Sequence, residues 1–78
     1  MENLQQRIFK VMSLVFEVSL DKLNEDSSSD SIETWDSLKH LNLILALEEE
    51  FNIEIPDEEV GNLMNYKLIK LVVEEINE

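Results

Sequence analysis

The chain has 78 residues, with 18 acidic side chains against six basic ones and a formal charge of −12. It has no cysteine and a single histidine, His40, which removes disulfide staples, thiolate metal sites and histidine-cluster metal sites from consideration. The charge makes nucleic acid and anionic membranes poor partners, because phosphate contacts need clustered Lys and Arg.

A length of 78 residues predicts a single domain spanning 1–78. Such a domain buries about 60–65% of its unfolded surface. Its expected stability is roughly 4–12 kcal/mol. The hydrophobic content of 44% argues against a disordered acidic tail. No run approaches the ~18–20 apolar residues of a membrane span. Met1–Gln6 lacks a basic region leading into an apolar core, so no signal peptide is expected there. The composition predicts a soluble cytoplasmic monomer whose partners carry basic patches.

Residues 3 to about 17 predict a first helix. Leu4, Ile8, Val11, Met12 and Val15 fall on one stripe at helical spacing, and Phe9, Leu14 and Phe16 widen it. Val18 to Trp35 is a long connection, a length that often carries function. Leu20 and Leu23, three apart, are expected to pin its first part to the core as a short turn. Asn24–Ser31 is polar and is expected to be mobile. Ile32, the one apolar residue between Leu23 and Trp35, is expected to dock.

Asp36 to about Phe51 predicts the second helix, with Asp36 as N-cap. Leu38, Leu41, Leu45 and Glu48 mark one row, and Leu43, Ile44, Leu47 and Phe51 broaden the apolar face. Asn52–Pro56 alternates and stops at proline, so it is extended, with Ile53 and Ile55 aimed at the core. Asp57–Val60 starts a short third helix with acidic residues in its first turn, limited by Gly61. Leu63 and Met64 are expected to cover the core. Tyr66 to about Asn77 is the fourth helix, with Leu68, Ile69, Leu71, Val72, Val73 and Ile76 as its apolar residues. The architecture expected is all-α: three main helices and one short one around one core, with no strand pair.

Several constellations invite chemistry. Ser37 and His40 share a helix face at i and i+3, next to Asp36, but a catalytic serine also needs an oriented base, an oxyanion hole and a pocket. No catalytic residue is therefore assigned, and the chain is not expected to be an enzyme. An EF-hand read from Asp26 would need Gly and Glu where Ser31 and Ser37 stand. No metal ligand is assigned. Glu48-Glu49-Glu50 spreads around the end of a helix, where carboxylates oppose the dipole. Trp35, just before the cap, has the position of a hydrophobic staple packing near Lys39. Ser37 stands at the helix start, where free amides and the dipole favour an anion.

Asp36-Ser37-Leu38 resembles the attachment motif of acyl carrier proteins. Ala46–Phe51 followed by Glu54–Glu59 is similar to that family's second-helix end and the loop beyond it, so the resemblance covers nearly the whole chain. The resemblance implies an acyl-carrier-like helical fold and a carrier role. A phosphopantetheinyl transferase would attach 4′-phosphopantetheine to Ser37, using coenzyme A and Mg²⁺, and the arm's thiol would hold acyl groups as thioesters. The external thiol would answer the missing cysteine. Partners implied are acyl-loading and acyl-using enzymes with basic docking patches. Leu38, Trp35, His40, Glu48 and Ile55 are the candidate docking residues, with Asp36 capping the helix beside the arm. Thr34, Lys39, His40 and Asn42 depart from the pattern of the fatty-acid members, which have Gly two residues before the Asp and acidic residues early in the second helix. These departures point toward a specialised biosynthetic pathway. The competing expectation is an unmodified acidic helical adaptor for a basic protein.

Overall fold

The computed structural model describes residues 3–76. In chain order the elements are α1 (Leu4–Phe16), a 3₁₀ turn (Leu20–Lys22), α2 (Ser37–Phe51), α3 (Asp57–Val60) and α4 (Tyr66–Ile76). The expected all-α arrangement of three main helices and one short one is present. Asn77, expected at the end of the fourth helix, lies outside the described residues.

The helix ends follow from their capping chemistry. Asn3 Oδ1 accepts from the Gln6 amide at 2.8 Å, and Gln6 Oε1 accepts from the Asn3 amide at 3.2 Å. This reciprocal box satisfies two donors at the start of α1. Both long helices close through a left-handed residue: Glu17 after α1 (φ 57°) and Asn52 after α2 (φ 54°). Asparagine suits that conformation, and glutamate less so. The Val18 amide reaches back to the Ser13 carbonyl, and the Ile53 amide to the Glu48 carbonyl.

One core collects the apolar faces. Ile8, Met12 and Phe16 of α1 meet Leu43 and Leu47 of α2, Leu63, and Ile69 and Val73 of α4, all without exposed surface. Tyr66 is also buried there, its ring 4.6 Å from that of Phe9. Burial, with the negative field of Glu25, raises the Tyr66 phenol above its ordinary range. Ile32 and Leu23 dock as expected. Ile55 is buried too, and Ile53 packs partly buried against the same core.

Four expectations need correction. Leu20 stays half-exposed at 51%, so Leu23 alone anchors the 3₁₀ turn. Met64 is 41% exposed and so covers the core only in part. The polar stretch Asn24–Ser31 is not a loose tract. Ser27 is buried and its hydroxyl accepts from the Asn24 amide at 2.9 Å. Its carbonyl accepts from the Tyr66 amide, and the Ser29 amide donates to the Met64 carbonyl, both at 2.9 Å. An isolated antiparallel bridge between Ser28 and Asn65 results. Small polar side chains form such local turns readily. The last correction concerns α2: its core face is the set that broadened the pattern, Leu43, Ile44, Leu47 and Phe51. The row Leu38, Leu41, Leu45 faces solvent, at 66%, 55% and 64% exposure.

Candidate functional site

The start of α2 is built by its cap. Asp36 has extended backbone, and its Oδ1 accepts from the Lys39 amide at 2.8 Å. Its carbonyl accepts from the His40 amide at 2.8 Å, the first bond of the helix. Ser37 is thereby the first helical residue and is exposed. A helix start has free amides and a positive dipole end, so a side chain there can hold an anionic group in a favourable field.

Residues on both sides of Ser37 tie this helix start to the rest of the fold. Thr34 Oγ1 donates to the Phe16 carbonyl at 2.7 Å, satisfying an acceptor at the end of α1. Lys39 Nζ lies 3.2 Å from the carboxylate of Glu17, the left-handed cap of that helix. Trp35 is buried and stacks on Phe16, with ring centroids 4.5 Å apart. Its Nε1 donates to His40 Nδ1 at 3.1 Å. His40 Nδ1 therefore accepts, which leaves the ring proton on Nε2 to donate to the Val60 carbonyl at 2.7 Å. Trp35 precedes the cap and His40 is the fourth helical residue, the two positions of a hydrophobic staple. The staple partner of Trp35 is thus His40, where packing near Lys39 was expected.

This geometry decides the hydrolase alternative. Both ring nitrogens of His40 are engaged away from Ser37, so the histidine offers the hydroxyl no base. His40 is half-buried and joins α2 to the end of α3. Among the described residues, no group of three or more His, Cys, Asp or Glu is placed to hold a metal ion.

Of the candidate docking residues, Leu38 is exposed beside Ser37. Trp35 and Ile55 are buried, at 7% and 6% exposure, so they belong to the core and not to a contact surface. The apolar burial that makes both valuable to the fold removes them from a partner's reach. Glu48 also has an internal task. Its Oε2 accepts from the Ile55 amide at 2.9 Å and fixes the extended segment after α2. Glu50 pairs with Arg7, whose Nε lies 2.9 Å from the carboxylate and whose Nη2 donates to the Glu50 carbonyl. The Arg7 guanidinium also stands 4.4 Å from the centre of the Phe51 ring. The acidic helix end that opposed the dipole is thus offset by contacts from elsewhere in the chain.

Ser37 opens onto a cleft of about 580 Å³ lined by Trp35, Leu41, Met64 and Gly61, among others. A Cβ built on Gly61 would meet nothing within 4 Å, so its rim position is open. Ser29, Gly61 and Met64 carried no sequence signal as site residues, because only folding brings their segments to the start of α2. The Trp35–His40 pair did carry one, in its staple spacing. The cleft is largely apolar and adjoins an exposed hydroxyl at a helix start, an arrangement that fits an anionic linker with an apolar load.

Comparison with known proteins agrees with this picture, although no family model matches the chain. It is 41% identical over 64 residues to the acyl carrier protein of Buchnera aphidicola subsp. Schizaphis graminum, covering 81% of this chain and 80% of that protein. It is 38% identical over 69 residues to the acyl carrier protein of Buchnera aphidicola subsp. Baizongia pistaciae, covering 88% of each. Its fold superposes on the solution structure of holo acyl carrier protein from Geobacter metallireducens with a TM-score of 0.81. The identity there is 28%, over 92% of this chain and 83% of that one. With the Asp36-Ser37-Leu38 triplet at an exposed helix start and relatives matching along most of its length, the chain belongs to the acyl carrier protein family.

Proposed function

We propose that Ser37 carries 4′-phosphopantetheine and that the protein presents acyl groups on that arm to cytoplasmic biosynthetic enzymes, itself catalysing nothing. The observation that carries the reading is the exposed hydroxyl of Ser37 as first residue of a 15-residue helix, beside an apolar cleft. When bound, the arm supplies the thiol this cysteine-free chain lacks. Asp36 holds the helix start so that the free amides and dipole face the phosphodiester. In the loading reaction the Ser37 oxygen attacks the pantetheine-side phosphorus of coenzyme A. The pyrophosphate bond breaks, adenosine 3′,5′-bisphosphate leaves, and the hydroxyl proton passes to a base of the transferase.

Partner enzymes meet the exposed row Leu38, Leu41 and Leu45, framed by a chain of net charge −12. An apolar strip on an acidic body suits partner surfaces with an apolar centre and a basic rim. Lys39, His40 and Asn42 make the front of that helix less negative, which favours partners of a specialised pathway over those of housekeeping fatty-acid synthesis.

The test is intact mass after incubation with a broad-specificity phosphopantetheinyl transferase, coenzyme A and Mg²⁺. Wild type gains the mass of one phosphopantetheine and Ser37→Ala gains none. A wild-type protein that stays unmodified, with Ser37→Ala retaining function in the cell, would instead identify an acidic adaptor.

A further inference from the structure

We infer that the groove between α1 and α2, away from Ser37, is a second docking surface, and that it takes an amphipathic helix of a partner protein bearing an apolar side chain flanked by lysine or arginine. This surface is separate from the carrier role proposed above and needs no group on Ser37.

The groove starts from one small residue. Ala46 is the chain's one alanine, and it is half-buried against the core. Two ion pairs tie α2 to α1 on either side of it: Lys39 with Glu17 near the start of α2, and Arg7 with Glu50 near its end. The two helices are thus antiparallel neighbours, with Ala46 between the tethers. A methyl group fills little of the space there, and a depression of about 430 Å³ remains, lined by Val11, Leu14, Val15, Ala46, Glu49 and Glu50. Val11 is buried, and Val15 and Ala46 are half-buried, so they form an apolar floor. Leu14 stands at the rim with 81% of its surface exposed, more than any other large hydrophobic side chain among the described residues. A lone exposed leucine is ordinary, but one beside an apolar depression makes a patch.

Charge selects the occupant. The charged residues lining the groove are Glu49 and Glu50, both acidic. Glu50 is held by Arg7, whereas Glu49 is exposed and enters no ion pair among the described residues. On a chain of net charge −12, that carboxylate attracts cations and repels an acidic helix. A partner helix with a leucine or isoleucine in the depression and a lysine or arginine one turn away would complement both features. Ala46 lies nine residues after Ser37, about 14 Å along the helix axis. A partner seated there leaves Ser37 free to face another enzyme.

The probe is a fluorescein-labelled peptide of leucine and lysine, amphipathic as a helix of about four turns, titrated with the full chain at physiological ionic strength and followed by anisotropy. Leu14→Ser should weaken binding about tenfold, and Glu49→Gln up to about fivefold. Ala46→Leu adds apolar surface but fills the depression, so it should also weaken binding. Leu71→Ser and Glu75→Gln, the same changes at exposed positions of α4, should leave the affinity within about twofold. Ser37→Cys supplies the only thiol, and coupling it to a polyethylene glycol maleimide should also leave the affinity within about twofold. If Ala46→Leu does not fold, Leu14→Ser decides alone. The inference is overturned by a wild-type chain that does not bind, or by equal losses at α1 and α4, which would show diffuse attraction to the charge. It is overturned as well if the coupled glycol blocks the peptide, or if Leu41→Ser weakens binding while Leu14→Ser does not. Sedimentation showing a dimer that Leu14→Ser dissociates would place a second copy in the groove instead. No coenzyme A or transferase enters these measurements, so their failure is distinct from failure of Ser37 to be modified.

Discussion

The two leucine faces of α2 share one helix and one residue type, yet they do different work. Leu43 and Leu47 have no exposed surface, and with Ile44 and Phe51 they pack against α1 and α4. Leu38, Leu41 and Leu45 are more than half exposed and hold nothing together. A leucine contributes to stability only when folding removes it from water. The exposed row starts beside Ser37 and runs along the helix. What separates the faces is only how the helix is rotated on the core.

That contrast can be broken by substitution. Leu47→Ala should cost about 2–5 kcal/mol, a large share of the roughly 4–12 kcal/mol available, and urea unfolding would read it as a lowered midpoint. Asp36→Ala should cost about 1 kcal/mol by removing the bond to the Lys39 amide. Because it loosens the helix start common to both faces, it should also slow modification of Ser37 by a transferase, measured by mass spectrometry. Leu45→Ala should change stability by less than about 0.5 kcal/mol while reducing acyl loading by partner enzymes. If Leu45→Ala proved as destabilising as Leu47→Ala, the exposed row would be structural and the docking reading would fall.

A second contrast lies around Ser37. In the sequence Thr34, Lys39 and His40 stand out as departures near the anchor, and Trp35 and His40 as candidate docking residues. Their contacts point inward instead. Thr34 reaches the Phe16 carbonyl, Trp35 the Phe16 ring, Lys39 the Glu17 carboxylate and His40 the Val60 carbonyl. They hold the start of α2 between the end of α1 and the end of α3. In the proposed carrier role, their effect on partner choice is confined to the charge they leave at the front of the helix, beside the exposed leucines.

Much of the fold was legible because it depends on local rules. Helix positions followed from the period of apolar residues, and the start of α2 from Asp36, whose side chain can cap only nearby amides. The alternation before Pro56 placed Ile55 in the core. The stretch Asn24–Ser31 was misjudged for a matching reason. Its polarity is plain in sequence, but the pairing of Ser27 with Tyr66 and of Ser29 with Met64 spans more than thirty residues. The acidic end of α2 was read as free for partners because the Ile55 amide and Arg7 reach it only after the chain folds.

The sequence by itself determined the helices, the cap at Asp36, the position of Ser37 as first helical residue and the likeness to acyl carrier proteins. The first three depend on neighbours within about two turns of chain, and the likeness on short segments read in order along it. Tertiary structure decided which leucine row of α2 faces water, that Trp35 is a core residue, and that His40 joins two helices beside a cleft. These depend on how amphipathic faces compete for one small core, and an apolar pattern broad enough to serve two faces leaves that competition to packing.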